Sequence, residues 1–249
     1  MLIAGLIALL SLLFGSNDLP FLLPKAEKAM NKVIVDKDKR KQLDDIFKRV
    51  EKYEKKFRKE KKSYIKQLEK LNSDQKATAE HFNAVGETML RVNTETLDFM
   101  VSIRLSIGGV ITQAQWIAII DESRKSYEKS KQQYVKVYPK FEKAVNKLTN
   151  RIEDIMDDQA KAKLITDRIQ AFHKMTISNS KKLVAFNVFN NPVLGNIKST
   201  EKELRALNPD MLRLRSEIFD EYVAIHNLIA ANCTHKEWTR VVKKFNKLF

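Results

Sequence analysis

The sequence predicts an all-α protein: an N-terminal membrane anchor, a long antiparallel, coiled-coil-like helical hairpin, and further helices packed on it. Three observations predict this. Among 249 residues there are only 6 Gly and 5 Pro, too few for the many tight turns of an all-β chain. Apolar and aromatic residues recur every three or four positions instead of alternating. Cys233 is the single cysteine, which excludes an intramolecular disulfide framework and any Cys-based zinc or iron–sulfur site within one chain. Hydrophobic residues at 43% supply a sizeable core, and the composition lies outside the disordered class.

The first element is apolar on every side. Residues 2–14 carry no charge, and after Gly15-Ser16-Asn17-Asp18 a second apolar patch, 19–23, precedes Pro24. Thirteen helical residues reach about 20 Å, whereas a bilayer core is about 30 Å thick. A crossing therefore recruits the second patch, tilts, or thins the bilayer. A cleaved signal peptide expects basic residues before the apolar stretch and small residues before the cut. Here no Lys or Arg precedes it, and Leu13 or Phe14 would stand where a small residue belongs. The expectation is an uncleaved anchor over residues 1–24, contacting lipid through 2–23, with a signal segment or a self-buried helix as alternatives. Lys25, Lys28 and Lys32 follow it, which by the positive-inside rule favours a cytoplasmic body.

Residues 25–189 then read as a helical bundle built on a hairpin. Leu43, Ile46, Val50, Tyr53, Phe57, Tyr64 and Leu71 form a heptad seam, interrupted at Glu60 and Gln67, on a helix expected over residues 36–70. Phe82, Val85, Met89, Val92, Phe99 and Ile103 form a second seam, with Thr96 in the same row. Between the seams, Asn72 and Gln75 fit a capping box, so the two helices should fold back on one another. Gly108-Gly109 closes the second helix. Thr112 with Gln115 caps a third, which carries Trp116, Ile119, Ile120, Ser123 and Tyr127 at helical spacing. Phe141 to Ile155 makes a fourth stripe, and Leu164 to Met175 a fifth, either continuous with it or separate.

The Asn-, Pro- and Gly-containing stretch 190–196 is the clearest break in the body, and it is expected to set off a small C-terminal helical subdomain, 197–249. Helix starts are marked there by Thr200 with Glu203, Asn208 with Pro209, and Thr234 with Glu237. The last segment places Trp238, Val241, Val242 and Phe245 opposite Arg240, Lys243, Lys244 and Lys247. That pattern suits a membrane-surface helix, for which Trp238 and Phe245 are the candidates. It suits equally a terminal helix docked on the bundle.

The net charge of +15 implies an anionic partner. Residues 25–76 contain 19 Lys/Arg against 10 Asp/Glu, a surplus of +9. Lys55, Lys56, Lys59 and Lys62 are the candidate contacts for anionic lipid or an acidic protein, since a basic residue beside an anionic leaflet contributes about 1 kcal/mol. The ordinary reading of such a stretch is the solvated face of a long helix. Nucleic acid is not the expected partner, because no recognition motif is present and Tyr53, Phe57 and Tyr64 lie in the seam.

No catalytic or metal residues are assigned, and no cofactor is expected. His81, His173, His226 and His235 are scattered, without HExxH or Glu-x-x-His spacing. The chain has no GxxxxGK[ST], GxGxxG or GxSxG. Glu153, Asp154, Asp157 and Asp158 make an acidic group in which Glu153 and Asp157 stand one turn apart, read as an ordinary charged helix face in preference to a cation site. No local signature marks Cys233 as a reactive thiol.

Two loops resemble the Leu-Thr-x-x-Gln motif of the Spy-like and CpxP-like periplasmic stress proteins: Leu71-Asn72-Ser73-Asp74-Gln75 and Ile111-Thr112-Gln113-Ala114-Gln115. The matching residues are Leu71, Gln75, Thr112 and Gln115; Asn72 and Ile111 depart from the motif. The resemblance implies a helical, basic, cradle-like ATP-independent chaperone or envelope stress sensor, with its body in the periplasm. The stretch from Asp18-Leu19-Pro20 to Pro24-Lys25-Ala26-Glu27-Lys28, with Gln115-Trp116 opening a later helix, is similar to single-pass bacterial helical membrane proteins without an assigned activity. The leading expectation is a non-enzymatic membrane-anchored scaffold or interaction protein, with self-association through the helical seams as a further possibility, and the chaperone as the alternative.

Overall fold

The computed structural model describes residues 26–245, except for the side chains of several positions within 130–137, of 184 and 185, and of 243–245. The anchor expected over residues 1–24 therefore lies outside the described residues. Every described element is a helix: α1 (Ala26–Val33), α2 (Lys37–Asn72), α3 (Ala79–Val110), α4 (Gln113–Val135), α5 (Val137–Ile155), α6 (Gln159–Ala185), the short α7 (Pro192–Gly195) and α8 (Glu201–Arg205), α9 (Asn208–Asn232) and α10 (His235–Phe245).

The hairpin expected from the two seams is present. Asp36 starts α2 by accepting from the amides of Asp38 and Lys39, each at 2.9 Å. The 36 residues that follow run about 54 Å. The chain returns in α3, so that Tyr53 stacks on Phe99 with ring centroids 4.0 Å apart and, one turn on, Lys56 meets Glu95. The cap differs from expectation. α2 continues through Asn72, whose buried side chain faces His226, and the Thr78 amide donates instead to His81 Nδ1 at 3.0 Å to open α3.

Two apolar cores lie along this hairpin. The first joins the second half of α2 and the first half of α3 to α5, α6, α9 and α10, around Tyr64, Phe82, Ile152, Ile165 and Ile218. The second joins the other halves to α1, α4 and the connection after α6, around Met30, Leu43, Ile103, Trp116 and Leu194. α9 packs on both α6 and α3. After the break at 190–196, the described part of 197–249 joins the shared cores, with α9 packed in the first core against α6 and α3. The fourth and fifth stripes are separate helices, because Asp158 accepts from the amides of Ala160 and Lys161 and restarts the chain as α6.

Glycine is required at two close approaches. A Cβ at Gly86 would lie 2.7 Å from the Phe219 ring, and one at Gly108 would lie 2.8 Å from the Ile197 carbonyl oxygen. The second contact seats residues 191–197 on the elbow where α3 turns into α4.

No single described helix is long and apolar enough to cross a membrane. α3 and Gln113–Lys129 together meet the length and composition, across a 118° bend. Most of their large apolar side chains are spent on the two cores, Phe82, Val85, Met89 and Val92 on the first and Ile103, Ile107, Trp116 and Ile119 on the second.

Candidate anionic-partner surface

Helical geometry sorts the lysines of α2. Lys52, Lys55, Lys59, Lys62 and Lys66 step by three and four, so they share one face, and all five are exposed. From Lys52 to Lys66 the row runs about 21 Å. No carboxylate among the described residues lies within ion-pairing distance of these five. Neighbouring cations do find partners: Arg58 pairs with Glu54 at 3.1 Å, and Lys48 with Asp45 at 2.8 Å.

Lys56 does not belong to this row. Its ammonium donates to Glu95 at 3.2 Å, lies 3.9 Å from Glu60, and sits 5.9 Å from the Tyr53 ring centroid. The hydrogen bond to Glu95, then the charges of Glu60 and Glu95, hold it above the ordinary lysine range. Arg91 reaches the same Glu95 at 2.6 Å. Three of the four predicted contacts thus stand free on one face, and the fourth cross-links α2 to α3.

Lys61, on the opposite side, is half-buried. Burial, then the charge of Arg215, pull it down to about 8. Lys52 and Lys66 belong to the row although they were not singled out; continuing the three–four step in both directions from Lys55 would have found them.

The motif loops are not brought together. They lie at opposite ends of the 32-residue α3, roughly 48 Å apart along its axis. Gln115 and Thr112 form the expected reciprocal cap, with the Thr112 amide donating to Gln115 Oε1 at 3.0 Å and the Gln115 amide to Thr112 Oγ1 at 3.2 Å. Gln75 is a strut: its amide nitrogen donates to the carbonyls of Cys233 at 3.0 Å and Ala230 at 3.4 Å. Leu71 packs against the first core.

The structure buries Trp238, the membrane-surface candidate, in the first core. It is 3% exposed, edge-on to His226 with centroids 5.2 Å apart, because α10 docks its apolar face on the bundle beside α5. The Phe245 side chain lies outside the described residues.

Among the described residues, no three His, Cys, Asp or Glu side chains are grouped to hold a metal. Within the acidic group, Asp158 is an N-cap and Asp154 pairs with Arg151 at 3.0 Å. Burial pushes the Cys233 thiol up to about 11, which leaves it protonated at neutral pH.

No protein-family model, no curated protein and no solved structure matches this chain.

Proposed function

We propose that this protein is a non-enzymatic, membrane-anchored helical scaffold, held by residues 2–23 and meeting an anionic lipid surface through the exposed lysines of α2. The carrying observation is the row Lys52, Lys55, Lys59, Lys62 and Lys66, which has no carboxylate partner among the described residues. Like charges at this spacing repel and weaken a helix. An external anionic surface converts that repulsion into attraction, screened by salt. Lipid is preferred to an acidic protein because the basic excess of residues 25–76 directly follows the hydrophobic stretch in sequence. Lys25, Lys28 and Lys32 argue for a cytoplasmic body, which a reporter fused after Phe249 and active on only one side of the membrane would read.

The test uses the full chain in nanodiscs of neutral lipid, with and without an anionic lipid, and follows lysine acetylation peptide by peptide. Lys55, Lys59 and Lys62 should be protected in the anionic discs and lose that protection at high salt. Equal labelling in both discs overturns the lipid surface and leaves an acidic protein as the partner to seek. The chaperone alternative has no structural observation of its own, because its motif residues serve as caps, a strut and core packing. It requires the full chain to suppress aggregation of an unfolded client near one-to-one without ATP.

A further inference from the structure

We propose that the groove between α1 and α4 binds a phosphate-type oxyanion, free or carried on a lipid headgroup. The groove has a volume of about 250 Å3, below the usual range for drug-sized ligands and suited to a small anion. Lys28 and Lys32 enter it from α1, and Ser123, Lys125, Ser126 and Lys129 from α4. Among the described residues Glu122 is the one acidic residue in its wall, and its carboxylate is held by Lys32. Four lysines against one glutamate leave a local excess of three positive charges.

The second observation is Ser123. It is 2% exposed, and its hydroxyl makes no hydrogen bond among the described residues. A helical serine normally satisfies itself on the carbonyl one turn back, as Ser106 does on Ser102 at 2.8 Å. A buried hydroxyl left unpaired costs stability, and rotation of the Ser123 side chain towards the groove it lines would let a ligand oxygen relieve it. Phosphate matches this donor set: several acceptor oxygens and a high charge, met by ammonium groups acting as point charges and by a hydroxyl. Among the described residues no aromatic ring lines the groove, which gives a nucleobase nothing there to stack on. Lys28 stands five residues after Leu23 in sequence, which on the anchored reading sets the groove beside lipid headgroups. The site itself does not depend on the lysine row of α2; only its lipid source rests on the anchor.

The test is thermal unfolding of the full chain with two probes. In neutral detergent, sodium phosphate is compared with sodium chloride at matched ionic strength. In nanodiscs, phosphatidic acid in phosphatidylcholine is compared with phosphatidylcholine alone. Binding to the folded state raises the midpoint. Stabilisation by inorganic phosphate assigns a free anion, and stabilisation confined to phosphatidic acid assigns a headgroup. K125E/K129E changes two exposed residues and should weaken the response tenfold or more, roughly. Ser123→Ala should weaken it by roughly tenfold while leaving the unliganded midpoint unchanged or higher, because it removes an unpaired buried hydroxyl. K55E/K59E/K62E should leave the response intact, which separates this groove from the α2 row. No response to either probe, or a response that survives K125E/K129E, overturns the site. A response that survives Ser123→Ala removes the hydroxyl from it.

Discussion

The Arg215 guanidinium donates from Nη1 to Asn93 Oδ1 at 2.8 Å in the interior between α9 and α3. Both residues are buried, and among the described residues no carboxylate pairs with the arginine. Burial pulls the guanidinium down to about 10. Removing one member of a buried polar pair costs far more than replacing both with apolar groups of similar shape. Asn93→Leu alone should therefore destabilise by about 3–5 kcal/mol. Adding Arg215→Met should return most of that loss. Urea midpoints at constant slope measure the cycle, and additive losses would show that the two side chains are not coupled.

Arg104 solves the same problem differently. Its guanidinium lies 4.3 Å from the Trp116 ring centroid and donates to the carbonyls of Leu194 at 3.0 Å and Asn196 at 2.9 Å. Gln113 accepts from the Ile197 amide at 2.8 Å, so the two side chains clamp residues 191–197 onto the α3–α4 elbow. Lysine keeps the charge but loses the flat stacking face and the fork of donors. Arg104→Lys should cost about 2 kcal/mol, in line with a hydrogen bond to a charged group, and should speed amide exchange at residues 193–197. Unchanged exchange there would mean that the glycine contact at 108 and Gln113 hold the loop unaided.

These two arginines mark where sequence reading stops. Periodicity shows which face of a helix is apolar, so the hairpin and its core were legible from Leu43, Val50, Phe57, Phe82 and Val92. A strict heptad nonetheless drifts against the 3.6-residue turn. Beyond Tyr64 the buried positions are Leu68 and Asn72, one residue past the expected Gln67 and Leu71. Capping boxes close within four residues, and Thr112–Gln115, Thr200–Glu203 and Thr234–Glu237 all form. Asn72 and Gln75 carry the same local signal, but their side chains are taken by His226 and by the carbonyls of Ala230 and Cys233, contacts more than 150 residues away in sequence. The lysine row was visible as spacing. That Glu95 neutralises Lys56 while Lys55 stays free depends on the register of α3 against α2, which no local pattern encodes.

Glu237 ties two connections together. Its Oε2 accepts from the Thr234 amide at 2.8 Å, and its Oε1 accepts from the Asp157 amide at 3.0 Å. The Thr234 hydroxyl and backbone, then the Asp157 backbone, hold its carboxyl below the ordinary range. The stability this gives is present above the ordinary glutamate pKa and lost as pH falls through the lowered value. Glu237→Ala should cost about 1–2 kcal/mol, the usual loss for a helix cap. It should also raise amide exchange at both the α5–α6 and α9–α10 connections. A change confined to α10 would show that the bond to Asp157 carries no weight.

His226 should make the fold acid-sensitive well above the carboxylate range. The ring is 1% exposed, with centroids 4.6 Å from Phe82 and 5.2 Å from Trp238. Burial, against smaller opposing pulls from the Ala77 backbone and Asp74, takes it down to about 4. An unfolded histidine titrates near 6.5, so between about pH 6.5 and 4 the unfolded chain binds a proton that the folded chain refuses. More protons in the unfolded state mean that stability rises with pH. The contribution is complete above about 6.5 and falls on acidification with a slope approaching 1.4 kcal/mol per pH unit, roughly. Burial also lowers His173, which adds loss in the same direction. Unfolding free energies measured across this window should lose about one proton of slope in His226→Leu. An unchanged slope would mean that the folded protein accommodates the imidazolium between Phe82 and Trp238.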